Sequence, residues 1–241
     1  MRAGAFVRAG GFVALGTFIS YGVLLRHPQP LFAYSVQKRN LTLYCDREFD
    51  ATAGKRVLGL AEQKLARSPL YSEQPMVVFI CPSPWREVLL FNKDYGAGGL
   101  AEYPVTDHVF LRAARIEENR LLSRSGRAVS GDRTLDYFVT HELVHQLTGK
   151  ALGPWDYLRL PKWVREGYAD YVGKGDGFNY ERERESFLAG AREMDWAKSG
   201  LYKRFHLLVY YLLDRQHWSV DRLLRHSPRQ SEVEDQVRAE Q

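Results

Sequence analysis

Hydrophobic and polar positions change rhythm several times along this chain, and each change marks an element. From Ala9 to Leu25 (AGGFVALGTFISYGVLL) no residue carries a charge, and Arg8 and Arg26 flank the run. Such a stretch is at the short end of what spans a bilayer, about 17–25 residues, and Arg8 can snorkel to lend it Ala3 to Val7. It predicts a membrane anchor over residues 1–27, with a cleaved signal peptide headed by Arg2 and Arg8 as the alternative. The length of the run and the Arg26-His27-Pro28 that follows favour the anchor. Residues 28–33, with two prolines, read as a linker, and one domain follows over 34–241. Asn40 to Cys45 (NLTLYC) alternates and is rich in β-branched and aromatic residues, so it predicts a strand. Thr52 to Arg67 repeats Val57, Leu58, Leu60, Ala61 and Leu65 at helical spacing and closes at Ser68-Pro69. Met76 to Cys81 (MVVFIC), bounded by prolines, reads as an interior strand. Trp85 to Phe91 reads as a short helix with Pro84 at its first position.

Gly96 to Gly99 lead as a tight approach into Leu100 to Tyr103, and Val105 to Arg112 (VTDHVFLR) reads as the next strand of that hairpin. Arg115 to Arg133, polar and glycine-containing, reads as a surface loop. Asp132 or Thr134 can then cap a helix running to about Thr148 and stopping at Gly149. Its residues Leu135, Phe138, Val139, Leu143, Val144 and Leu147 cover much of the cylinder, which predicts a buried helix. A second helix begins with Pro161 at its first position, and Trp163, Glu166, Gly167 and Asp170 fall on one face of it. Glu181 to Glu185 reads as an exposed, alternately charged helix face. Ser199 to Arg215 reads as a late helix carrying Tyr202, His206 and Tyr210 in one stripe.

Composition adds limits. The chain has 241 residues, 45% hydrophobic and 13% aromatic, enough to bury one substantial core. Its net charge of +5 is spread over 34 basic and 29 acidic residues, without the basic stripe or motif that nucleic-acid binding asks for. The only two cysteines, Cys45 and Cys81, either pair in an oxidising compartment or sit as buried free thiols.

The chemistry lies in the buried helix, which carries His141-Glu142-Leu143-Val144-His145. Four-residue spacing stacks two imidazoles on one helix face, close enough to grip a single cation, and chance alone supplies the pattern with odds on the order of one per cent. A catalytic zinc keeps three protein ligands and leaves a fourth position open, so a third ligand is required. Glu166 is the candidate. Asp170, one turn further on, could accept the other ring N–H of His141 and fix its tautomer, and Gly167 would let the two helices approach closely. The bland reading makes both histidines packed core residues and the carboxylates surface acids.

His141, Glu142, His145 and Glu166 match position for position the pattern of the gluzincin metallopeptidases, and the run Pro161 to Ala169 (PKWVREGYA) resembles the peptidase-MA-like domains of bacterial proteins. The likeness in element order covers about Tyr34 to Leu224. It implies a zincin-like α+β fold: a small mixed or antiparallel sheet, then the active-site helix and a helical C-terminal half. It also implies zinc held by His141, His145 and Glu166, with Glu142 as general base. The oxyanion partner would be Tyr202 first and His206 second, and the Gly99 hairpin is the edge best placed to pair with a peptide or protein substrate. Together with the anchor this describes a membrane-anchored zinc metallopeptidase whose domain lies outside the cytoplasm, on the periplasmic side in a bacterium. A non-proteolytic zinc hydrolase, or a catalytically silent metal-binding or interaction domain, is the alternative.

Overall fold

A computed structural model describes residues 20–91 and 97–240. Most of the expected anchor therefore lies outside the described residues, and among those no helix is long and apolar enough to cross a membrane. The fold is α+β. Strands β1 (Tyr34–Lys38), β2 (Leu41–Cys45), β3 (Met76–Cys81), β4 (Gly99–Ala101) and β5 (His108–Arg112) form one sheet in the order β1-β2-β3-β5-β4. β2, β3 and β5 run parallel, while β1 and β4 are antiparallel edges, so the sheet is mixed.

The continuous apolar run of β3 is explained by its place at the centre, where both faces are covered. Met76, Val78 and Ile80 join Leu41, Leu43, Val109 and Leu111 beneath the main helical layer. Phe79 and Cys81 join Phe110 on the other face with Leu90 and Phe91 of α3 (Pro84–Phe91), Phe32, and Leu25 of the helical residues 20–26, here α1. Residues 28–33 connect α1 to β1. They turn through a short 3-10 segment, Gln29–Leu31, and bury Phe32. Cys45 and Cys81 are free and buried. Cys45 lies opposite Ile80, which puts the two sulfurs on opposite faces of the sheet and out of reach of each other.

The main layer is α2 (Ala51–Leu65), α4 (Leu135–Leu152) and α6 (Lys162–Lys174), with the short α5 (Pro154–Arg159) between the last two. α7 (Tyr180–Leu188), α8 (Trp196–Ser199), α9 (Lys203–Tyr210), α10 (Val220–Arg225) and α11 (Gln230–Ala239) complete the C-terminal half. α4 packs against α2, α6 and the β4 edge, and every residue from Leu135 to Gly149 is buried.

Several boundaries differ from those expected, each for a local reason. α4 runs past Gly149 to Leu152 and stops at Gly153, whose φ of 82° is the left-handed value glycine tolerates. Tyr103 to Val105 form a turn that includes the cis Tyr103-Pro104 bond, and β5 begins only at His108. Pro161 is the N-cap of α6 rather than its first helical residue. The segment Arg115 to Arg133 is not a plain surface loop: β6 (Ala114–Arg115) and β7 (Arg120–Leu121) form a small hairpin, and Ile116 and Leu121 join the core.

That hairpin does what the expected cap does not. Thr134 occupies the N-cap of α4 without a capping bond from its side chain. Instead Asn119 accepts from the backbone N–H of Asp136 through Oδ1 (3.0 Å) and from that of Leu135 through its carbonyl (2.9 Å), while Lys64 pairs with Asp136 at 2.6 Å. Asn119 holds φ at 53°, a value asparagine accepts more readily than most residues. Asn119→Ala should therefore cost about 1–2 kcal/mol in urea denaturation, since it loses the surrogate cap and strains the backbone. Asn119→Gly should cost less, by the strain alone; equal losses would mean that φ is not part of the cost.

Candidate metal centre

Position 141 and position 145 lie on the same face of α4, and position 166 lies on the α6 face packed against it. Burial brings their side chains to a single point. His141 Nε2 and His145 Nε2 are 3.3 Å apart, and each is 3.5 Å from Glu166 Oε2. Three donor atoms thus form a nearly equilateral triangle, and this buried group could hold a metal ion. The imidazole rings meet edge to face at 4.9 Å, as two side chains one helical turn apart do when both aim at one spot.

The triangle lies in the wall of a cleft of about 650 Å³. β4 and the Tyr103-Pro104 turn line it on one side, Glu142 and Tyr202 among others on the rest. Glu142 is buried next to β4: a Cβ on Gly99 would come within 2.6 Å of the Glu142 Cγ and 2.7 Å of a Leu111 methyl, so only glycine admits α4 this close to the edge strand. Burial pushes the Glu142 carboxyl up to about 7, against the opposing charge of His145 and with a smaller push from Glu166. Glu166 meets the opposite fate. Burial raises it, but His145 and the hydrogen bonds from both imidazoles outweigh that and hold it well below the usual carboxylate range.

Asp170 is completely buried, but it does not touch His141. Its Oδ1 accepts from the Tyr137 hydroxyl at 2.5 Å and its Oδ2 from His206 Nδ1 at 3.1 Å, with Lys174 Nζ 3.5 Å away. Tyr137 stands between: its hydroxyl is 3.5 Å from His141 Nδ1, so a contact from ring to carboxylate passes through a phenol. Tyr137 is not among the residues expected here, although four positions before His141 is the spacing that puts it on the metal face.

Tyr202 and His206 do not share a helical stripe on the cleft. α8 ends at Ser199, Gly200 turns left-handed at φ 69°, and α9 starts only at Lys203, leaving Tyr202 at its N-cap. The Tyr202 ring is freed to lie parallel to His141, centroids 5.7 Å apart, in the cleft wall. Burial and the charges of Glu166 and Glu142 push its phenol up, keeping it a proton donor. His206 instead points away from the cleft. It is fully buried, stacked on Phe178 at 3.9 Å, and bound to Asp170, so it supports the site from behind. The closeness attributed to Gly167 is also redirected: a Cβ there would meet the Phe205 carbonyl oxygen at 2.6 Å, so it is α9 rather than α4 that needs this glycine.

Asp170 therefore has a stability signature. His206 and Lys174 outweigh burial and hold its carboxyl well below the usual range, so its folded-state pKa lies under its unfolded one. The stabilisation is present above about pH 4 and is lost as pH falls further. Asp170→Asn should cost about 3 kcal/mol at pH 7, because it leaves Lys174 and Tyr137 without their buried carboxylate, and should flatten the fall of stability below pH 4. An unchanged acid limb in pH-dependent denaturation would contradict this. Comparison with known proteins finds no matching family model and no matching curated protein.

Proposed function

We propose that this chain is a zinc-dependent metallopeptidase of the gluzincin type, anchored to a membrane by its N-terminal segment. The observation that carries the reading is the triangle of His141 Nε2, His145 Nε2 and Glu166 Oε2, with sides of 3.3, 3.5 and 3.5 Å. Donors about 2.0–2.1 Å from a tetrahedral centre lie roughly 3.3–3.4 Å from one another, and a two-nitrogen, one-carboxylate set with an open fourth position is one that catalytic zinc uses. Anchoring rests on the uncharged run Ala9 to Leu25 alone.

A zinc ion held by these three residues would supply Lewis acidity to a substrate carbonyl and to a water. The chain's own groups divide the remaining work. Glu142, beside the triangle and not part of it, has a carboxyl poised at about 7, so it can take a proton from the attacking water and return it to the leaving amine. Tyr202, held protonated in the cleft wall, donates to the oxyanion as it develops. Tyr137, fixed by Asp170, steadies the ring of His141. The short β4 edge beside Glu142 can pair with an extended peptide and leave its carbonyl facing these groups.

Two experiments test the reading. Purified protein should contain one zinc per chain by elemental analysis; Glu166→Ala should lose it, whereas Glu142→Gln should retain it and lower peptide cleavage at least about 10²-fold. Cleavage that survives Glu142→Gln would sink the mechanism. Tyr202→Phe should lower kcat about 10²–10³-fold with little change in KM, because the hydrogen bond it removes matters only once the oxyanion forms. A change confined to KM would instead make Tyr202 a binding residue.

A further inference from the structure

We propose that Arg133 forms a carboxylate-binding subsite of the cleft, so that peptides bearing an acidic group near the reacting bond are preferred. This extends the peptidase reading and rests on it, since the ligand is taken to be a peptide.

Arg133 lies two residues before α4, half-buried in the cleft wall. Its guanidinium sits over the rings of Phe138 (4.8 Å) and Tyr137 (5.6 Å), and the Tyr137 ring is 5.6 Å from that of His141. No ion pair or hydrogen bond holds it among the described residues, and its Nε is buried without a partner. Two arginines line the cleft there, and they differ in this. Arg165 Nε lies 3.4 Å from Glu166 Oε1 and is committed to it.

A guanidinium cannot shed its charge, and its five donors match a carboxylate in a planar fork. Aromatic faces steady such a group but offer no oxygen to its N–H donors. A half-buried cation with no carboxylate in contact therefore awaits one from a ligand, and the reacting groups share its cleft, whose wall Glu142 and Tyr202 also form. The ligand charge is set by the neighbours. Glu102, Glu142 and Glu166 already line this cleft, so one negative charge is balanced by Arg133 while the second charge of a phosphate would go unanswered. A carboxylate fits, from an Asp or Glu side chain or from the peptide's C-terminus.

The test uses full-length, metal-loaded protein in detergent and internally quenched peptides in pairs. Members of a pair differ only in Glu against Gln at one position, scanned on both sides of the cleaved bond, or in a free against an amidated C-terminus. The wild type should favour the acidic member of one pair by roughly tenfold in kcat/KM. That ratio should fall to about one in Arg133→Gln and be kept in part by Arg133→Lys. Because each ratio is taken within one preparation, a loss of folded protein cancels. The pair that responds identifies the source, side chain or terminus. Binding of the same pairs to the Glu142→Gln protein, followed by fluorescence anisotropy, should show the same discrimination and the same dependence on Arg133 without any turnover. A wild type blind to charge, measurable binding of neither member, or a preference that survives Arg133→Gln would each overturn the subsite. Discrimination in binding with no cleavage of any peptide by the wild type would overturn the peptidase reading and leave the subsite standing.

Discussion

The structure turns on one constraint: α4 is buried along most of its length and yet carries two imidazoles and two carboxylates on its surface. A helix satisfies its own backbone but nothing on its side chains, so each of these groups must find a partner elsewhere in the fold or pay the cost of lost water. Lys64 and Asn119 answer Asp136 at the N-terminal end. Glu166 answers His141 and His145 in the middle, and the glycine at position 99 lets the edge strand close over Glu142. The order of the surrounding elements follows from these needs. α6 must lie against the histidine face, and β4 must lie against the face one residue around from it.

Behind the triangle a second buried set does the supporting work. Asp170 collects Tyr137, His206 and Lys174, and His206 is itself clamped by the Phe178 ring. Four elements or turns meet there: α4 through Tyr137, α6 through Asp170, α9 through His206, and the turn before α7 through Phe178. An aspartate with charged and hydrogen-bonding partners from so many directions fixes the mutual positions of helices that apolar contact alone would allow to slide. Gly167 works to the same end, since it lets α9 approach α6 closely enough for His206 to reach Asp170.

What the sequence makes legible here is whatever depends on spacing within one element. Four-residue and three-residue intervals put His141 with His145, and Glu166 with Asp170, and a bounded apolar run marks β3 as central. What depends on contact between elements is less legible. Asp170 looks like a direct partner of His141 because one turn separates it from Glu166, but the side chain that fills the gap, Tyr137, comes from the other helix. Tyr202, His206 and Tyr210 look like one stripe because their spacing is helical, yet Gly200 and the late start of α9 separate the first from the others. Gly149 looks like a helix stop because glycine often is one, whereas here it gives room to the Tyr103 ring. In each case residue type is compatible with two local structures, and packing decides between them.

The same distinction separates two glutamates that are chemically identical. Glu142 and Glu166 are both buried in one cleft, and burial alone would raise both carboxyls. Glu166 faces two imidazoles, whose hydrogen bonds and charge more than offset burial and keep it an anion. Glu142 lies against the edge strand, where the charge of His145 does not offset burial, so its carboxyl moves up to about 7. A carboxylate that stays ionised suits the holding of a cation, and one poised near neutrality suits the taking and giving of a proton. The difference between the two carboxyls is therefore set by what each one faces, which the position of Gly99 against α4 and of α6 against His141 and His145 determines.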